Sequence, residues 1–114
     1  MAVPEAHQQI TKAVLGWQGV TAHPHRFGGT EYRLGRRELG HIHGDRLVDI
    51  PFPKKVRDEL VATSRANPHH ILPESGWISF YINEPVDVVQ AIDLLRQSFE
   101  LAVNQRTRDR SAVS

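Results

Sequence analysis

Glu38-Leu39-Gly40-His41-Ile42-His43-Gly44-Asp45-Arg46-Leu47-Val48-Asp49-Ile50-Pro51-Phe52 is the stretch that decides the reading of this chain. The two histidines one residue apart stand in what reads as the end of a strand, Gly44-Asp45 makes a tight turn, and a second apolar run follows until Pro51 stops it. That is a strand, a turn and a strand. Side chains of a strand alternate between faces, so His41 and His43 share one face and Ile42 takes the other. Two imidazoles on one wall of a sheet can hold a metal, move protons or bind an anion, or they can simply be solvated. Seven histidines occur in the chain, and six fall in close pairs: His23 with His25, His41 with His43, His69 with His70. This clustering is the strongest chemical signal in the sequence.

Working outward, Glu31 to Leu34 reads as the strand before this pair, joined to it through Gly35-Arg36-Arg37. Residues 20–26 read as a first strand, placed at an edge because Pro24 cannot donate to a ladder. Upstream, residues 4–17 have Ile10, Val14 and Trp17 at helical spacing, with Pro4 suited to a first helical position. Downstream, Pro53 opens an amphipathic helix over 53–65 that buries Val56 and Leu60. Residues 67–76 read as an irregular connection, residues 77–82 as a strand, and residues 85–103 as a helix with Val88, Ile92, Leu95, Phe99 and Val103 on one side. Helix, four-strand meander, helix, strand and helix predict an α+β fold: an antiparallel sheet of about five strands with helices packed on one face. One domain spans residues 1–104, and 105–114 form a polar tail. The uncovered face of the sheet is where the histidines are expected.

Composition narrows the function classes. With 114 residues the chain has room for one core. Its apolar fraction of 39% and mean hydropathy of −0.41 suit an ordinary soluble domain. The absence of cysteine excludes thiolate metal sites, disulfides and cysteine nucleophiles. No apolar run approaches the roughly 18 residues of a membrane span, and the first residues lack the pattern of a signal peptide. The chain therefore reads as cytoplasmic with no membrane partner, as a monomer or homodimer. A net charge of +1 supplies no field for phosphate-backbone binding. Arg26, Arg33, Arg36, Arg37 and Arg46 gather on the meander, yet nucleic acid is not the expected partner; a small molecule is.

The segments Arg37-Glu38-Leu39-Gly40-His41-Ile42-His43, Leu47-Val48-Asp49-Ile50-Pro51-Phe52-Pro53, His69-His70-Ile71-Leu72-Pro73 and Ser75-Gly76-Trp77-Ile78-Ser79 resemble the luciferase-domain family. That family includes small bacterial proteins and the fungal luciferases. The resemblance to the bacterial members runs from about Trp17 to Leu101. To the fungal enzymes it rests on Arg37, Glu38, His41 and His43, on His70, and on Trp77 with the helix after it. It implies an oxygenase acting with O₂ on a hydroxylated planar ring such as the α-pyrone 3-hydroxyhispidin, with His41, His43 and His70 as catalytic positions. A more distant likeness, in element order alone, is to the YjbR-like fold.

In chemical terms the resemblance implies that one imidazole removes an acidic enolic proton and that the resulting anion reacts with O₂ without any cofactor. Arg37 or Arg26 would hold the developing oxyanion, while Trp77 or Tyr32 would stack on the ring. The alternative is a divalent metal held by His41, His43 and His70, with His23 and His25 as further ligands. Among the carboxylates near the pair, Glu38 has the wrong strand parity to join it and Asp45 lies in a turn. A non-catalytic ligand-binding or regulatory domain is the other function class that these residues allow.

Overall fold

The computed structural model describes the backbone of residues 3–25 and 28–113 and the side chains of residues 3–25 and 28–108. The elements follow the predicted order: α1 (Ala6–Leu15), β1 (Val20–Pro24), β2 (Thr30–Leu34), β3 (Arg37–His43), β4 (Leu47–Pro51), α2 (Lys54–Ala62), β5 (Asn67–Pro68), β6 (Trp77–Tyr81) and α3 (Pro85–Val113). The strands form one antiparallel sheet in the order β1-β2-β3-β4-β6-β5.

Three local differences from the sequence reading have physical causes. Asn67 and Pro68 pair with Ser79 and Ile78 as a sixth strand, too short to show a periodicity. Pro4 and Glu5 form a turn ahead of α1, whose first-turn His7 N–H donates to Asp45 Oδ1 at 2.8 Å, an acceptor supplied by the β3–β4 turn. α3 continues past Asn104 to Val113. No Gly or Pro follows Pro85 in that helix, so no residue of breaking character interrupts it.

One apolar cluster joins the helices to one face of the sheet. Ile10 and Val14 of α1, Leu60 of α2, and Leu94, Leu95 and Phe99 of α3 pack with Tyr32, Leu39, Ile42, Val48, Ile50, Ile78 and Phe80. The opposite face carries a different register line. His23 lies opposite Glu31, Glu31 opposite His41, His41 opposite Asp49, Asp49 opposite Ser79, and Ser79 opposite Asn67. A row of directly paired polar residues thus crosses all six strands on the side away from the helices.

A β-bulge interrupts β3 within this row. The pairing shifts between Tyr32, opposite Gly40, and Arg33, opposite Glu38, so Leu39 is the additional residue. Leu39 and Ile42 both reach the core, while Glu38, His41 and His43 share the open face. The parity argument that turned Glu38 away from His41 therefore fails, because the bulge resets the alternation. Gly40 makes this possible with φ of +153°, and a Cβ there would lie 2.8 Å from Leu95 Cδ2 and 3.0 Å from Asp49 O. Gly40→Ala is expected to destabilise the chain by about 1–3 kcal/mol in urea unfolding; unchanged stability would remove this role for Gly40.

Candidate functional site

Asp49 is the centre of the polar row, and its side chain is only 1% exposed. Strand parity puts Val48 and Ile50 into the core and leaves Asp49 on the open face, under the loop between β5 and β6. Ser79 Oγ donates to Asp49 Oδ1 at 2.8 Å and accepts the backbone N–H of His70 at 3.2 Å. Around Oδ2 stand four imidazole Nε2 atoms: His43 at 3.0 Å, His70 at 3.1 Å, His41 at 3.3 Å and His69 at 3.5 Å.

Each imidazole has a distinct second attachment. His41 Nδ1 lies 2.6 Å from Glu38 Oε2, so both of its nitrogens face carboxylates. Carboxylates only accept, hence both nitrogens donate and His41 is an imidazolium. Burial disfavours that charge, but the hydrogen bonds to Asp49 and Glu38 outweigh it and raise the pKa to about 9. Burial also disfavours charge on Asp49; bonds from His41, Ser79 and His70 override it and hold the carboxyl well below its ordinary range.

His69 Nδ1 accepts the N–H groups of Ile71 at 3.1 Å and Leu72 at 3.0 Å, which fixes the loop and leaves the hydrogen on Nε2. Burial lowers the pKa of His69, against the attraction of Asp49. Arg57 of α2 tethers the same loop by donating from Nη2 to Pro73 O. His25 stacks on His41 with ring centroids 4.0 Å apart, and its pKa is lowered by burial and then by the charge of His41.

Together these groups floor an open cleft of about 340 Å³. Its rim is apolar: Trp77, with its ring centroid 5.4 Å from that of His41, and Ile71 and Leu72, which are 70% and 51% exposed. The structure brings His41, His43, His70, His25 and Trp77 to this place and leaves other expected residues elsewhere. His23 stays on the edge strand, its Nε2 2.7 Å from Thr21 Oγ1. Tyr32 does not face a substrate: it is fully buried on the helix side, with its hydroxyl 2.6 Å from Thr11 Oγ1. Arg37 is exposed at the start of β3 and does not line the cleft. Arg26 lies outside the described residues.

Asp49, Glu38 and His69 are the participants that sequence reasoning did not assign to the site: Glu38 was set aside on strand parity, and His69 and Asp49 stood only within the quoted segments. For Asp49 a signal was present, since a carboxylate in mid-strand between Val48 and Ile50 is unusual on any pleated surface. For Glu38 the signal was its place in the motif with His41 and His43, and strand parity overrode it because the bulge beside Gly40 was not anticipated.

Fold and site define a small α+β domain with an imidazole-lined cleft on the open face of its sheet. A family model described as Luciferase domain matches residues 36–98, more than half of the chain, and the chain belongs to that family. The matched segment contains Glu38, His41, His43, Asp49, His69, His70 and Trp77. No curated protein and no solved structure matches, so the YjbR-like likeness gains no support. Among the described residues no helix is long and apolar enough to cross a membrane.

The charge on His41 predicts a pH dependence. Its folded pKa lies above the ordinary 6.5, so its stabilisation is complete below pH 6.5 and is lost as pH rises through about 9. In EDTA, the unfolding free energy is expected to fall by about 3 kcal/mol between pH 6.5 and pH 9.5, and less in Glu38→Gln. A flat urea-denaturation profile would refute the imidazolium bridge.

Proposed function

We propose that this chain is an oxygenase-like enzyme that acts, with O₂, on a hydroxylated planar ring of the α-pyrone type. The observation that carries the reading is the pairing, in one cleft, of an apolar rim with a floor of imidazoles attached to a single buried carboxylate. A flat conjugated ring lies against Trp77, Ile71 and Leu72, and its acidic hydroxyl points to the floor.

His43 and His70 are the imidazoles a substrate reaches, with side chains 30% and 33% exposed; His41 and His69 are largely covered. Asp49 behind them orients the rings, the arrangement a general base requires. Loss of the hydroxyl proton to such a base leaves an anion whose charge spreads onto ring carbon. Addition of O₂ at that carbon forms a C–O bond, and the dioxygen unit takes up the electrons as a peroxide. The anion is stabilised by the imidazole groups of the floor, since Arg37 lies away from the cleft.

The test is O₂ consumption by the purified chain given 3-hydroxyhispidin or a simpler hydroxy-α-pyrone. His70→Ala is expected to lower kcat by about 100-fold or more, and Trp77→Ala to raise KM with a smaller effect on kcat. Saturable ligand binding without O₂ uptake would replace this reading with that of a binding domain.

A further inference from the structure

We infer that His41 Nε2, His43 Nε2 and Asp49 Oδ2 form a binding site for one divalent first-row transition metal ion. The inference takes its location from the cleft described above and does not require that the chain turn over a pyrone.

The first argument is the overcrowding of one oxygen. A carboxylate oxygen has two lone pairs, yet four imidazole nitrogens stand within 3.5 Å of Asp49 Oδ2. Hydrogen bonding alone cannot use all four well. A cation shared between the oxygen and some of the nitrogens removes the conflict.

The second argument is the spacing. Metal bonds of about 2.0–2.2 Å to imidazole and carboxylate imply ligand atoms roughly 3.0–3.4 Å apart, for angles between octahedral and tetrahedral. The Nε2 atoms of His43 and His41 lie 3.0 and 3.3 Å from Oδ2, and all three ligand atoms lie within 4.8 Å of one another. An ion needs little rearrangement to enter.

The third argument is the outer partner. Glu38 Oε2 holds the proton of His41 Nδ1, so that when the imidazolium releases its Nε2 proton to solvent as the ion enters, the lone pair exposed is the one facing Asp49; Glu38 is then the usual carboxylate partner of a metal-ligating histidine. Asp49 and Glu38 together carry two negative charges, which a divalent ion neutralises. Ser79 on Oδ1 keeps Oδ2 aimed at the same point.

His69 is excluded as a ligand. Its Nδ1 accepts two backbone N–H groups, so Nε2 retains its hydrogen and can only donate to Asp49. A second grouping of Asp49, His69 and His70 therefore lacks one of its donors. Two imidazoles and one carboxylate leave coordination positions open toward the cleft, suit iron(II), manganese, cobalt, nickel or zinc, and disfavour calcium and magnesium. With His43 committed to the ion, His70 is the exposed imidazole left to accept a proton.

The experiment is a Co²⁺ titration of the full chain after EDTA treatment, followed by visible absorption and calorimetry, with Zn²⁺ as competitor. One equivalent is expected to bind, with ligand-field bands that Zn²⁺ abolishes. His43→Ala, at a partly exposed position that spares the core, should weaken binding at least 100-fold. Glu38→Gln should weaken it 10- to 100-fold, and His69→Gln by no more than a few fold. Absence of saturable Co²⁺ uptake, or His43→Ala binding as tightly as the native chain, would overturn the site. Pyrone turnover together with no saturable Co²⁺ uptake would overturn the site while leaving the enzymatic reading intact. Metal uptake without turnover would do the reverse.

Discussion

A single buried carboxylate sets the terms for the open face of this protein. Asp49 sits in the middle of a six-stranded sheet, where an ionised group loses most of its hydration and is tolerated only if donors or a cation surround it. The chain meets that demand from both sides. Ser79 on the neighbouring strand ties one oxygen, and imidazoles from β3 and from the loop before β6 crowd the other. The same constraint that keeps Asp49 charged also concentrates proton-transfer and ligand groups at one spot.

The fold makes that arrangement possible by dividing the labour of the two faces. All three helices contribute to the apolar cluster on one side, so the other side needs no covering layer and can carry a row of polar residues. The bulge at Leu39 and Gly40 links the two faces. By spending one extra residue it delivers Leu39 to the core and Glu38 to His41. Arg57 and His69 then hold the loop that roofs Asp49, so packing of α2 bears directly on the geometry of His70.

Much of the architecture was legible before any coordinates. Apolar spacing marked α1, α2 and the first part of α3, while Gly- and Pro-containing turns marked the strands around the histidine pair. Strand parity placed His41 and His43 on one face, and they do lie together. Parity was also the source of an error. It turned Glu38 away, because the alternation was assumed to run unbroken through Gly40; Tyr32 was offered as a ring platform on its aromatic chemistry alone, whereas that side chain belongs to the core. Histidine spacing suggested that His23 and His25 act as one, yet Pro24 ends β1 between them and only His25 reaches His41.

What the amino-acid order determined by itself is every element but the two-residue β5 and the facing of most strand residues, because both follow from local periodicity and turn chemistry. Family membership follows from it too, since the match over residues 36–98 is read from the sequence. The centre of the site was decided only by tertiary structure. Asp49, Glu38, His69 and His70 are brought together by cross-strand register, by a bulge fitted against α3 and by a loop anchored to α2. These are contacts between distant parts of the chain, and no local pattern encodes the distance between two strands' side chains.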